Sequence, residues 1–233
     1  FDLPTDQTLP GVTATIVAMA NGTGNADLTP VFDALPSVWY TDVVSAYSDG
    51  ANLAVLAAES AERYNAMVAK DLFGWCATRG TFGAASTTGQ VTNSPFVSIL
   101  GLNRSRSPSP EIAAAYAARA TFHLDQDPSR QLRSLVLTGI GAPDEVDLYS
   151  DLEQDLLLRR GISTAGQVID QVTISRAITT YRLSELGVED DAWLDVMVPR
   201  TLAYIRYDWR SYMDLTYPRA KLVDDDTYEI GRA

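Results

Sequence analysis

One histidine and one cysteine are all the imidazole and thiol this chain possesses, so any reaction centre must be built around few groups. His123 stands in ATFHLDQDP at the end of a helical pattern. A Ser-His-Asp relay would need that ring to face a serine on one side and a carboxylate on the other. Asp42 and Asp49 are the available strand-end acids, yet neither G-x-S-x-G nor another nucleophile motif accompanies them. A helix-end histidine satisfied by solvent or carbonyls fits the residues better, because cations are favoured at helix C-termini. Cys76, in FGWCATRG, has no CxxC partner and reads as a core thiol on a buried strand.

Phosphate and metal chemistry fare no better. The loop AMANGTGNAD carries Gly22 and Gly24, but Ala26 and Asp27 occupy the neighbourhood where a dinucleotide fingerprint needs its third glycine. It reads as an ordinary strand-to-helix turn. No G-x-x-x-x-G-K-[ST] occurs, and Lys70 and Lys221 are the only lysines. The acid groups Asp125/Asp127, Glu189/Asp190/Asp191 and Asp224/Asp225/Asp226 lack calcium-loop spacing and read as helix-terminal or solvated charge. The residues therefore name no catalytic group, no metal ligand and no cofactor.

The elements that would position a site form an alternating series. Strand-like runs at residues 12–19, 38–45, 72–78, 95–102 and 134–137 are separated by helical patterns at 26–35, after Gly50, at 80–89 and after Ser109. Ser109 suits an N-cap with Pro110 at the first helical position. That spacing predicts an α/β fold: a mostly parallel sheet with helices on both faces. After residue 142 the pattern changes to a helix at 148–158, a hairpin of 162–168 with 172–176, and a long helix at 191–212 that is apolar around most of its circumference. Such a helix is expected to be buried, in its own chain or by a neighbour. Glu189, Asp190 and Asp191 would favour its positive end. The expected division is therefore residues 1–142 as an α/β core and 143–233 as a smaller α+β region.

Composition narrows the partners. With 233 residues, 46% of them hydrophobic, the chain can build a sizeable core, and its net charge of -12 repels nucleic acids and anionic membranes. Sixteen of the eighteen basic residues are Arg, which can form forked pairs with carboxylates at interfaces. Arg104/Arg106 and Arg206/Arg210 are the candidates for such contacts, against the alternative of solvated or intramolecular pairs. The chain begins at Phe1 in a linker-like run, FDLPTDQTLP, which reads as a fragment of a longer protein.

Four separated motifs in order supply what the chemistry does not: GIST at Gly161 to Thr164, RAITTY at Arg176 to Tyr181, LAYIRYDWR at Leu202 to Arg210, and YPRAKLVDD at Tyr217 to Asp225. SAYSDGANLAVLAAE, ATRGTFG and TNSP reinforce them. Together they resemble the tail sheath proteins of Mu-type contractile phages along nearly the whole chain. That resemblance implies a subtilisin-like α/β topology without the protease site, since no D-T-G, H-G-T-H or G-T-S-M-A run is present. It also implies a structural subunit of the virion, not an enzyme, assembled in the bacterial host cytoplasm. The implied partners are copies of itself in a helical sheath, the tail tube protein, and baseplate and tail terminator proteins, with no nucleic acid and no membrane insertion. Contraction of the sheath would drive the tube through the host envelope. Terminal arms that join neighbours in this family look truncated here. Two alternatives stay open: the sheath of a phage-derived contractile injection particle, and a hydrolase or nucleotide-binding enzyme on a Rossmann-like scaffold using the Gly22/Gly24 loop or His123.

Overall fold

The computed structural model describes residues 24–35 and 38–219. The strand expected at 12–19, Gly22 and the acid run 224–226 lie outside the described residues. The order of elements is α1 (Thr29–Ala34), β1 (Asp42–Val44), α2 (Gly50–Tyr64), β2 (Phe73–Thr78), α3 (Phe82–Val91), β3 (Val97–Gly101), α4 (Ser109–Gln126), a 3-10 turn at Glu145–Asp147, α5 (Asp151–Leu158), β4 (Ser163–Val168), β5 (Gln171–Arg176) and α6 (Met197–Thr216). The five strands form one sheet in the order β1-β2-β3-β4-β5. The first four are parallel, and β5 returns antiparallel through a hairpin with β4.

Alternation along the central strands sends side chains into two cores. Phe73, Trp75 and Ala77 of β2 and Leu100 of β3 meet Ile112, Tyr116 and Ala120 of α4 on one face. Cys76, Val97 and Ile99 point the other way, onto Leu53 and Leu56 of α2, Ala85 of α3 and Leu157 of α5. Every residue of β2 and β3 is buried, as a sheet covered on both faces requires. Trp75 packs edge-on against Tyr116 at 4.9 Å between centroids. Its indole N–H donates to Asp42 Oδ1 at 2.8 Å, which ties β2 to the edge strand β1.

Helix starts follow local chemistry. Asp49 caps α2 by accepting from the Asn52 amide at 3.2 Å, and Ser150 with Glu153 makes a reciprocal capping box on α5. α4 begins one residue earlier than expected: Pro108 stands at the N-cap and Ser109 is the first helical residue.

Two expectations are corrected. Residues 134–137 hydrogen-bond along β5, with Ser134 N–H donating to the Ile174 carbonyl and Leu137 N–H to that of Val172, both at 2.8 Å. Ser134 is held at φ 63°, so the segment kinks beside the sheet and does not extend it as a regular strand. The last helix starts at Met197, not 191. Residues 189–195 instead run back along 178–183 around a turn at Ala192–Trp193, with Thr179 N–H donating to the Leu194 carbonyl at 2.7 Å and Asp190 N–H to that of Arg182 at 3.0 Å. The three acids therefore lie outside the first turn of α6. That helix buries only Pro199, while Ile205, Trp209 and Tyr212 are half exposed or more.

Gly89 marks the tightest helix contact: a Cβ there would lie 2.2 Å from the Arg160 carbonyl oxygen and 2.7 Å from Ile162 Cγ1. Because a backbone atom cannot move aside cheaply, Gly89→Ala is expected to destabilise the fold by about 1–3 kcal/mol. Thermal unfolding checks this, and an unchanged Tm would contradict the packing of α3 on the turn between α5 and β4.

Candidate functional site

The side chains that could have formed a reaction centre are dispersed, and the two carboxylates among them are otherwise engaged. His123 lies on the last turn of α4 with its ring 5.3 Å from that of Phe122 and its Nδ1 buried without a partner. Asp42 accepts from Trp75 and from Arg200. Asp49 is occupied by Asn52 and Asn25, and the Asn52 side-chain bond above all holds its carboxyl below the usual range. Cys76 is fully buried in β2, and burial pushes its thiol up to about 12, far from a reactive thiolate. Among the described residues no three His, Cys, Asp or Glu side chains are placed to share a metal ion.

The motif residues, by contrast, converge. Ser98 of β3, Ser163 of β4 and Tyr116 of α4 are each completely buried. Their hydroxyls meet at 2.8 Å (Ser98–Tyr116), 3.0 Å (Ser98–Ser163) and 3.2 Å (Tyr116–Ser163). All three would be orphaned in an apolar core, and the missing partners come from the backbone of Ile178. Ser98 Oγ donates to the Ile178 carbonyl at 2.6 Å, while Ile178 N–H donates to Ser163 Oγ at 2.9 Å. Burial pushes the Tyr116 phenol up to about 12, so it stays protonated and able to donate.

From this knot the segment after β5 is fastened residue by residue. Thr180 N–H donates to the Val97 carbonyl at 2.9 Å, and Thr180 Oγ1 donates to the Ser94 carbonyl at 3.1 Å while accepting from Ser94 N–H at 3.0 Å. Asn93 Oδ1 takes the amides of Arg182 and Leu183, and its Nδ2 donates to the Leu183 carbonyl. Thr179 Oγ1 donates to the Trp193 carbonyl at 2.7 Å. Gly161 turns into β4 at φ 79° with the Thr180 backbone only 3.1 Å from where a Cβ would stand, so a side chain there would be strained by the dihedral and tight against that backbone. The GIST, TNSP and ITTY runs are thus two sides of one fastening.

Beyond it, α6 lies against the N-terminal ends of β1 and β2. Arg200 bridges Asp42 at 3.0 Å and Asp125 at 3.3 Å. Arg206 reaches Asp71 at 3.3 Å, donates to the Tyr64 carbonyl at 2.7 Å and stacks 3.8 Å above the Tyr64 ring. Arg210 donates to the Ala69 carbonyl at 3.3 Å. Both arginines of that candidate pair are therefore held within the chain. Arg104 and Arg106 pair with Asp147 and Asp144, but on an open surface, with 69% and 76% of their side chains exposed. Such pairs contribute about 0–1 kcal/mol and exchange readily. Ser98, Tyr116 and Arg200 carried no sequence signal of their own; only the fold brings residues 98, 116 and 163 together.

A search of family models finds none that matches the chain. The chain is 32% identical over 221 residues to the Mu-like prophage FluMu tail sheath protein of Haemophilus influenzae, covering 93% of itself and 45% of that relative. It thus spans about half the length of the curated relative it matches. Among solved structures it is similar to the sheath tail protein of Desulfitobacterium hafniense, with a TM-score of 0.51 at 13% identity over 76% of this chain and 40% of that one. It is also similar to a chain of the anti-feeding prophage baseplate, with a TM-score of 0.50 at 16% identity over 72% of this chain and 44% of that one. At those identities the likeness concerns the fold.

Ser163→Ala leaves the Ile178 amide without its acceptor and is expected to cost about 1–3 kcal/mol. A cycle with Tyr116→Phe should show non-additivity, measured by denaturant unfolding; strictly additive effects would contradict the knot. Asp71 gives a pH test. Burial raises its pKa despite the opposing charges of Arg206 and Arg210, so the folded state holds its proton more tightly than the unfolded chain does. Its contribution is fully present below the ordinary aspartate range and is lost as pH rises through the raised value. Wild type should therefore gain stability relative to Asp71→Asn as pH falls through that window. A difference independent of pH would contradict the burial.

Proposed function

Because the chain is homologous along nearly its whole length to a Mu-like prophage tail sheath protein, we propose that it acts as a structural subunit of a contractile tail sheath. Copies would polymerise around a tail tube, and a shift between two lattice arrangements would drive the tube through a host envelope. The observation that carries this reading is the homology. The site geometry supports it, because the described residues of the GIST, TNSP and ITTY runs fasten one body together. His123, Asp42, Asp49 and Cys76 are scattered through the fold or engaged elsewhere, which favours a scaffold over a hydrolase. Tail tube, baseplate and tail terminator proteins are the partners we propose, in a virion assembled in the host cytoplasm. No described helix is long and apolar enough to cross a membrane.

A rigid body suits this work. Two buried cores hold the sheet from both sides, while exposed pairs such as Arg106–Asp144 can change partners at low cost. Negative-stain microscopy of the complete gene product checks the proposal. Ordered tubes or contracted sheath segments are expected. A monodisperse monomer at high concentration that is stabilised by nucleotide, or labelled by a serine-hydrolase probe in a His123-dependent way, would contradict it.

A further inference from the structure

The attachment of α6 differs from that of every helix that packs on the sheet. Its first turn is anchored: Val196, just before it, is fully buried and Met197 packs against the same core. From Arg200 onward the helix rests on arginine contacts and on the Trp39–Tyr207 ring pair, 5.5 Å between centroids, and beside them an open pocket of about 320 Å³ walled by Trp39, Tyr64, Phe73, Phe96 and Tyr207 parts it from the body. A close-packed interface would leave no such space, so parting these surfaces loses fewer dispersion contacts than parting a helix packed along its whole length would. The far face carries Ile205, Trp209, Tyr212 and Met213 at helical spacing, 53%, 64%, 51% and 39% exposed. Beyond Ser211 every described residue of the helix is exposed.

We propose that α6 is a releasable lever, pivoting at the anchored Met197–Pro199 turn and clipped to the body by Arg206 and Arg210, which swings out as an intact helix when those contacts are lost. Arg206 binds through one ion pair, one carbonyl and one aromatic face, and water can replace the first two. Release would carry the Ile205–Trp209–Tyr212 stripe away from the body without disturbing the Ser98–Tyr116–Ser163 knot. In a sheath this lever would let one surface keep its contact while the body turns. That use rests on the function proposed above, whereas the lever rests on contacts within this chain.

Spin labels at Ala61→Cys on α2 and Asp214→Cys on α6 report the motion in the isolated 233-residue chain, since Cys76 is fully buried. Double electron–electron resonance at low salt should give one narrow distance. A second, longer distance should grow several-fold on the order of 1 M salt, where the Debye length is about 3 Å. It should dominate in the Arg206→Ala/Arg210→Ala variant, with the melting of the body unchanged. An unaltered single distance under high salt overturns the lever even if the variant fails to fold. A longer distance that appears only as the body melts overturns it as well. Because no assembly is involved, failure to form tubes would leave this result untouched.

Discussion

Three buried hydroxyls that need partners set the arrangement of the carboxyl-terminal half. Ser98, Tyr116 and Ser163 come from three different elements, and each lies where water cannot reach it. The Ile178 backbone completes their hydrogen bonding, at an expected cost of about 1–3 kcal/mol for each group left unmet. Once Ile178 is fixed, Thr179 and Thr180 have defined partners in Trp193 and Ser94. The path back through residues 189–195 then delivers Val196 into the core, which sets where α6 begins. A polar requirement at the centre thus positions an element at the periphery.

The charge distribution complements that rigidity. Thirty acidic residues against eighteen basic ones leave a body that repels its own copies unless local contacts offset the field. Arg200 and Arg206 are partly buried and spent inside the chain. Arg104 and Arg106 pair loosely in the open. The first pair holds α6 to the body, and the second is free to exchange when neighbours move.

Much of the fold was legible from pattern. The alternating β-branched runs and small-residue helices foretold a sheet covered on both faces, since continuous apolar strands such as FGWCAT can be stable only there. The hairpin of β4 and β5 was likewise readable from two short runs around a turn. The beginning of α6 was misread because Glu189, Asp190 and Asp191 mimic a helix start, whereas Asp190 in fact accepts from the Tyr181 hydroxyl and the Ala192 amide. The apolar residues of α6 suggested burial, but their periodicity cannot say whether the covering surface belongs to the same chain. The motifs were visible as strings; that Ser163 pairs in register with Leu100, which brings its hydroxyl within reach of Ser98 two residues along the same face, is something no linear spacing encodes.

Native-state hydrogen exchange at the Ile178 and Thr180 amides tests the central claim most directly. If the buried hydroxyls bind this segment into the core, both amides exchange only through global unfolding, with the same free energy as Ile99 in β3. If they exchange through a smaller opening while Ile99 remains protected, the segment is a detachable strap and the knot does not hold the fold together.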